Sequence, residues 1–438
     1  MTVHDAPTYN KKVQNAWAMY DWANSVYSLV ITTTIFPIFY DSQTVVKVNP
    51  DRIEYTDCVS FWGMDFINTQ LYSYVLATSF LVIIFLSPLL SGMADYAGKK
   101  LTFMKIFCYA GAAGCASMFF FNPDRLEWSM GSLFLANLGF WGSLGFYNAY
   151  LPEIAPPEEH DKLGARGYVM GYIGSVTLLL ICLAFIMGVG NHLTKWAFVL
   201  VGVWWVSWAQ PAFRKLPSNP HNARPEGNLL TQGFRELRVV AKDLRGELHL
   251  TRYLSSFFVM SMAIQTIMLM ATSFGIKEVA LTSAELIVAT LLVQVVAIPG
   301  AFFVAWCSGK IGNVKALGGC ILAWCAVCVY AYFFASSKEG FYVAAGVIGF
   351  MMGGTQSLNR STYSKLIPKT DDNASYFSFY EVLEKSGLVI GMFGWGYIEG
   401  LTGSMRNSIL ALVFLFLIAF TLLQWIPKSY RGHLKMAS

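Results

Sequence analysis

The feature that most constrains this chain is the recurrence of long apolar segments. Twelve follow one another, at about 15–40, 69–94, 101–121, 128–150, 164–188, 194–213, 252–275, 284–307, 315–335, 340–363, 375–398 and 406–427. A helix needs roughly 20 apolar residues to cross the hydrocarbon core of a bilayer. Inside that core every backbone polar group must be satisfied within the segment, which a helix achieves alone. The expected fold is therefore an all-α integral membrane protein with twelve transmembrane helices. Charged residues make up only 13% of the chain and hydrophobic ones 55%, whereas a soluble domain carries about 25% charged residues. The first segment is too long, and too polar at Asp21 and Asn24, for a cleaved signal peptide.

Charge sets the expected orientation. With both termini cytoplasmic, 24 of the 31 Lys and Arg fall on the cytoplasmic side. Only Lys47, Arg52, Arg125, Lys195, Lys277, Lys338 and Arg406 fall on the other. That bias is the positive-inside pattern and fits an even helix count. The first external loop, about 41–68, is acidic. A polar stretch at 214–251 holds Pro217, Pro220 and Pro225 and then an amphipathic run from Arg235 to Glu247. It divides the chain into an N-terminal six-helix half, 1–213, and a C-terminal one, 252–438. At an offset of 216, Tyr147, Pro152 and Gly171 map onto Tyr363, Pro368 and Gly387. Two pseudo-symmetric six-helix halves place a transporter's binding site at their interface.

Several function classes are disfavoured. Seven of eight cysteines lie in apolar segments and only Cys58 in an external loop, so there is no disulfide framework. All six histidines are expected in loops or termini, which leaves no buried metal site. No zinc-protease, nucleophile-elbow or P-loop pattern points to an enzyme. The net charge of +5 is spread over short loops, without the basic face that nucleic acid requires. The expected partners are the lipid bilayer and a small-molecule substrate, with no nucleic acid and a monomeric state. No cofactor is expected beyond a possible coupling proton.

Two motifs carry a family resemblance. The loop after the second segment reads Ser91-Gly92-Met93-Ala94-Asp95-Tyr96-Ala97-Gly98-Lys99-Lys100. It resembles the signature loop of the major facilitator superfamily, with Ser91 in place of the first glycine and Tyr96 in place of a basic residue. Gly98 permits a tight turn, Asp95 suits the N-terminus of a neighbouring helix, and Lys99 and Lys100 pin the loop to the cytoplasmic side. The corresponding loop Gly309–Lys315 keeps a glycine turn but has no acid. Further runs are Trp17-Ala18-Met19-Tyr20-Asp21-Trp22-Ala23-Asn24-Ser25, Tyr147-Asn148-Ala149-Tyr150-Leu151-Pro152-Glu153, Arg166-Gly167-Tyr168 and Gln356-Ser357-Leu358-Asn359-Arg360-Ser361. Together they resemble the vacuole-effluxer-like family, whose fungal members are autophagy-related exporters of amino acids. One departure stands out. Where many family members carry an acid in the seventh helix, this chain has Met260-Ser261-Met262-Ala263 before Gln265-Thr266.

The resemblance implies that the first, fourth, seventh and tenth helices line a central cavity. The candidate substrate-binding or coupling residues are then Tyr20, Asp21, Asn24, Tyr147, Asn148, Gln265, Gln356 and Asn359. Asp21 is an ionisable group within a spanning segment and so a functional candidate by default, either for coupling or as a structural carboxylate with a basic partner. The candidate cytoplasmic gate comprises Asp95, Gly98, Lys99, Lys100, Arg166, Arg360, Glu381, Glu384 and Lys385. Glu381 and Lys385 have the i, i+4 order of an intrahelical ion pair. The expected activity is secondary transport of a small organic solute, an amino acid or related metabolite, in the export direction by alternating access. A proton- or cation-coupled importer of sugar, peptide or cell-wall fragments is the alternative, and a lipid scramblase or solute sensor is the reading from another class. A bacterial inner membrane is the first expected location and a vacuolar membrane the second.

Overall fold

The computed structural model describes residues 9–44, 46–49, 54–56, 58–190, 193–218, 228–402 and 404–427. Every apolar segment is a helix. The first runs without a break as α1 (Lys11–Val26), a π-helical stretch (Tyr27–Ile35) and α2 (Phe36–Thr44). Pro37 has no N–H to close a turn on Thr33, and Thr32 and Thr33 both donate side-chain hydrogen bonds to Ser28 O at 2.8 Å. Both features loosen the i→i−4 ladder where the helix widens. Nothing in the hydrophobic pattern signals this widening.

Two antiparallel ribbons follow, β1 (Val46–Asn49) with β2 (Glu54–Thr56) and β3 (Cys58–Phe61) with β4 (Met64–Ile67). They depart from a purely helical chain. Trp62 and Gly63 both take positive φ, 50° and 77°, as a two-residue hairpin turn requires. The Trp62 N–H donates to Glu127 Oε1 at 3.2 Å, which ties the ribbon to the helix bundle.

The remaining helices are α3 (Asn68–Ala97), α4 (Lys100–Ser117), α5 (Leu126–Ala149), the short α6 (Leu151–Ile154), α7 (His160–Val189), α8 (Thr194–Lys215), α9 (Leu229–Gly246), α10 (Leu248–Val279), α11 (Ser283–Ile311), α12 (Asn313–Phe334), α13 (Lys338–Leu366), α14 (Asn373–Thr402) and α15 (Met405–Gln424). Among the described residues, ten helices are long and apolar enough to cross a membrane. The α5 and α14 helices are as long but more polar. Glu381, Glu384 and Lys385 lie on α14, and Asn137 and Asn148 on α5. The amphipathic α9 seats Val240 and Leu244 against α3 and α14 and exposes Arg235, Arg238 and Lys242. The end of the bundle covered by α9 is called the linker end below.

Helix contacts fall into two groups with a seam between them. The α1 helix packs on α7 and α8, and α4 on α5 and α8, while α10 packs on α14 and α15, and α11 on α13. The seam is formed by α3 and α5 against α14 and by α7 against α11 and α13. Small residues let helices approach within each group. A methyl group on Gly171 would meet the Ser25 side chain of α1, and one on Gly387 or Gly391 would meet α10 at Met262. Gly394, one turn further along α14, faces open space. Two histidines also depart from the expectation: His160 and His249 are buried in the first turns of α7 and α10.

Candidate functional site

Asp21 lies almost three turns into α1 and is only 4% exposed. Its Oδ2 accepts from the Tyr147 hydroxyl at 2.8 Å and from Arg360 Nη1 and Nη2 at 3.3 and 3.4 Å. Arg360 comes from α13 and therefore crosses the seam. It also donates to Asn148 Oδ1 at 3.2 Å and to Gly164 O at 2.9 Å. Its guanidinium lies over the rings of Tyr168, Trp17 and Tyr147, with centroids at 4.3, 4.8 and 5.5 Å. Trp17 stacks on Tyr147 at 4.5 Å and donates to its carbonyl at 2.9 Å. Buried cations with a carboxylate, an amide and π faces are well held, because those partners replace the water that burial removes. There is no room for a side chain at Gly167. A Cβ there would stand 2.6 Å from Asp21 Oδ2 and 2.8 Å from Arg360 Nη2.

One turn of α14 adds three charges. Glu381 reaches Asn148 Nδ2 with Oε1 at 3.5 Å, while its buried Oε2 has no hydrogen-bond partner among the described residues. Lys385 is 1% exposed, pairs with Glu384 at 2.6 Å and sits 3.3 Å above the Trp141 ring. Glu384 also accepts from Gln265 Nε2 of α10 at 2.9 Å. Next to this pair is a narrow cavity of about 20 Å³, lined by Tyr168, Gln265, Gln356, Asn359, Tyr380 and Glu384 among others. That is room for about one water molecule.

The linker end is held by two separate networks. Gly98 ends α3 with φ 61°, the left-handed turn a glycine favours. Asp95 accepts the backbone N–H groups of Ala374 and Ser375, at 3.3 and 2.7 Å, at the start of α14. Lys100 is buried between Asp95 and Glu153, and Asn373 donates to Glu153 at 3.0 Å. The second network supplies the acid missing from the Gly309–Lys315 loop. Asp161, at the start of α7, accepts from Asn313 at 3.0 Å and Ser308 at 2.7 Å and pairs with Lys365 at 2.7 Å.

Of the expected cavity residues, Asp21, Tyr147 and Asn148 converge around Arg360, while Gln265, Gln356 and Asn359 line the cavity. Tyr20 does not join them. Its ring packs between Tyr147 and Phe213 inside the first helix group. Asn24 is fully buried and accepts from Ser25 at 3.4 Å, away from the cavity lining. Among the gate candidates, Asp95, Gly98 and Lys100 meet at the linker end. Lys100 is buried rather than anchored at the surface, and Lys99 is exposed. Arg166 bonds Asn15 at 2.5 Å, apart from both networks. Arg360, Glu381, Glu384 and Lys385 belong to the central cluster, not to the linker end. Lys385 pairs with its neighbour Glu384 rather than with Glu381, because Glu384 is drawn toward α10 by Gln265. Tyr168, Tyr380, Trp141 and Asp161 were not singled out from sequence. Only Tyr168 lay in a quoted motif, and single aromatic residues in apolar helices carry no signal of their own.

The family model described as "Vacuole effluxer Atg22 like" matches residues 9–434. The "Uncharacterized MFS-type transporter YxiO" of Bacillus subtilis (strain 168) is 28% identical over 428 residues, covering 95% of each chain. "Autophagy-related protein 22" of Yarrowia lipolytica (strain CLIB 122 / E 150) is 24% identical over 82% of this chain and 76% of its own. Among solved structures, the human organic anion transporter MFSD10 (TETRAN) matches with a TM-score of 0.73 at 13% identity, over 96% of this chain and 100% of that one. The proton:xylose symporter XylE matches with 0.71 at 12% identity, over 96% of each. At these identities the structural likeness speaks to the fold alone.

Proposed function

The chain belongs to the vacuole-effluxer-like family of the major facilitator superfamily, and from that premise we propose that it exports a small zwitterion, an amino acid or close relative, by alternating access. The observation that carries this reading is the Asp21–Arg360 pair, buried at the seam with one acid and one base. An amino acid carries the complementary pair of charges. Its carboxylate exchanges for Asp21 on Arg360, whose planar fork suits carboxylates. Its ammonium meets Glu384 and Gln265 across the cavity, with Tyr168 and Tyr380 as apolar walls. The compact cavity then corresponds to an empty, closed state.

In this reading α5 and α14 also cross the bilayer, making twelve spans in halves 1–213 and 252–438 joined by 214–251. Both termini, and with them the linker end, are cytoplasmic, in keeping with the Lys and Arg bias. The halves rock about the seam, and the Asp95 and Asp161 networks fasten its cytoplasmic end. The protein acts as a monomer. A bacterial inner membrane is the preferred location, because the Bacillus relative, matched over 95% of each chain, is 28% identical, against 24% for the Yarrowia one.

Counterflow in proteoliposomes tests the proposal. Vesicles loaded with pooled amino acids and offered one labelled tracer at a time should accumulate that tracer only when the protein is present. Failure with every amino acid, with folded protein verified, overturns the zwitterion reading and turns attention to sugars and peptides. Protein-dependent movement of fluorescent lipid instead would favour a scramblase.

A further inference from the structure

The three charges on α14 do not balance. Asp21 is matched by Arg360, but Glu381 and Glu384 share the single cation Lys385. That cation is committed to Glu384 at 2.6 Å and to the Trp141 ring. Glu381 is 2% exposed, and one of its oxygens has no donor among the described residues. An isolated carboxylate buried in this way costs several kcal/mol, so the group either finds a donor or keeps its proton.

The groups that face Glu381 can be named element by element. On its own helix they are Glu384, Lys385 and Tyr380. From α5 come Asn148 and Gly145, with Tyr147 behind them. Arg360 and Asp21 stand beyond Asn148, and Tyr168 of α7 stands beyond Arg360. The α10 helix presents Gln265, which is bonded to Glu384. The Asp95 carboxylate of α3 sits at the start of α14, on Ala374 and Ser375, and is bound there. Among the described residues the only nearby cations are Arg360 and Lys385, and both are engaged elsewhere.

We infer that Glu381 is the site of a transported proton, and that Lys385 is the switch that couples the release of this proton to cargo. The inference rests on the zwitterion reading above. With the cavity empty, Lys385 neutralises Glu384 and Glu381 is a neutral carboxylic acid. A cargo ammonium that reaches Glu384 and Gln265 displaces Lys385. Glu381 lies one turn back at i−4, the favourable order for an intrahelical pair, so Lys385 swings to it. The O–H bond of Glu381 then breaks, its electron pair stays on the carboxylate and the proton passes to water. Cargo leaving on the far side reverses each step, and Glu381 takes a proton from that side. Cargo export is thereby tied to proton entry.

Two measurements on the full-length protein decide the matter. The first is the infrared difference spectrum of wild type at neutral pH without cargo. It should contain the carbonyl stretch of a neutral carboxylic acid, absent in Glu381→Gln and present in Asp21→Asn and Glu384→Gln. The second compares pH-gradient-driven uptake with counterflow. Glu381→Gln should lose about tenfold more of the former than of the latter, the size of a typical coupling energy. A band that survives in Glu381→Gln, or a gradient that drives this variant as well as wild type relative to counterflow, overturns the inference. If wild type shows no amino-acid counterflow, the cargo reading fails, while the infrared band still decides the proton site. If Glu381→Gln does not fold, a hydrophobic carbodiimide, which adds to protonated carboxyls, is applied to wild type. A mass-mapped adduct on Glu381 supports the inference, and labelling confined to other carboxyls overturns it.

Discussion

At the scale of single residues, the centre of the molecule depends on one carboxylate. Asp21 accepts from both Tyr147 and Arg360, so Asp21→Asn leaves a guanidinium buried without its countercharge. Removing one partner of such a pair costs about 3–5 kcal/mol. The expected result is a clear fall in melting temperature in detergent together with loss of counterflow. An unchanged melting temperature would show that Arg360 finds another partner. Gly167 makes a subtler case. Its missing side chain leaves the space in which the pair forms, since a Cβ would lie 2.6 Å from Asp21 Oδ2. Gly167→Ala should reduce counterflow by at least about tenfold, since a misplacement of about 1 Å in a working site can cost on the order of 100-fold. Gly188→Ala, on the same helix but facing open space, should transport normally. Equal behaviour of the two variants would contradict this account.

At the scale of elements, the positive N-terminal end of α14 is held by Asp95 through two backbone N–H groups. A carboxylate at a helix N-terminus contributes typically 0.3–1 kcal/mol when exposed and up to about 2 kcal/mol when partly buried. Asp95→Ala should therefore shift the population by about tenfold toward a state open at the linker end. Spin labels at Lys99 and Lys369 should report a longer mean separation in the variant than in wild type, and an unchanged distribution would remove Asp95 from the gate. The place of Asp95 at the start of a neighbouring helix was readable from its motif, because the glycine turn and the acid sit in one short stretch. Its counterpart was not. The Gly309–Lys315 loop has no acid, and Asp161 supplies one to Asn313 from a helix 152 residues earlier in the chain. No local pattern could show that exchange.

At the scale of the whole molecule, the distribution of Lys and Arg predicts which end faces the cytoplasm. Cys58 is the one described cysteine that is exposed, and it lies on the ribbon opposite the linker end. A membrane-impermeant maleimide added to intact cells should label the protein, and Cys58→Ser should abolish the labelling. Labelling only after the membrane is opened would invert the proposed orientation. The seam itself is a property of the whole chain. Arg360 and Asp21 are 339 residues apart, so their pairing is sensitive to every rigid-body movement of one helix group against the other. That sensitivity suits an alternating-access device, in which sub-ångström shifts are amplified because packed interfaces have discrete arrangements.

The apolar segments by themselves determined which stretches are helical and where those helices roughly end, since hydrocarbon admits few other solutions for a backbone with no water to bond. They also determined that charges within those segments would matter, since a buried charge must find a partner. Sequence did not determine which partner. Glu381 and Lys385 have ideal helical spacing, yet Gln265 draws Glu384 to the cavity and Lys385 follows it. Arg360 read as a gate residue near a helix end, yet packing carries it to Asp21 under three aromatic rings. Spacing along one helix fixes only which side chains are able to meet. Which of them do meet was decided by the tertiary structure, because the competing partners arrive on other helices, and a charge in a dry interior goes to whatever best replaces its lost water.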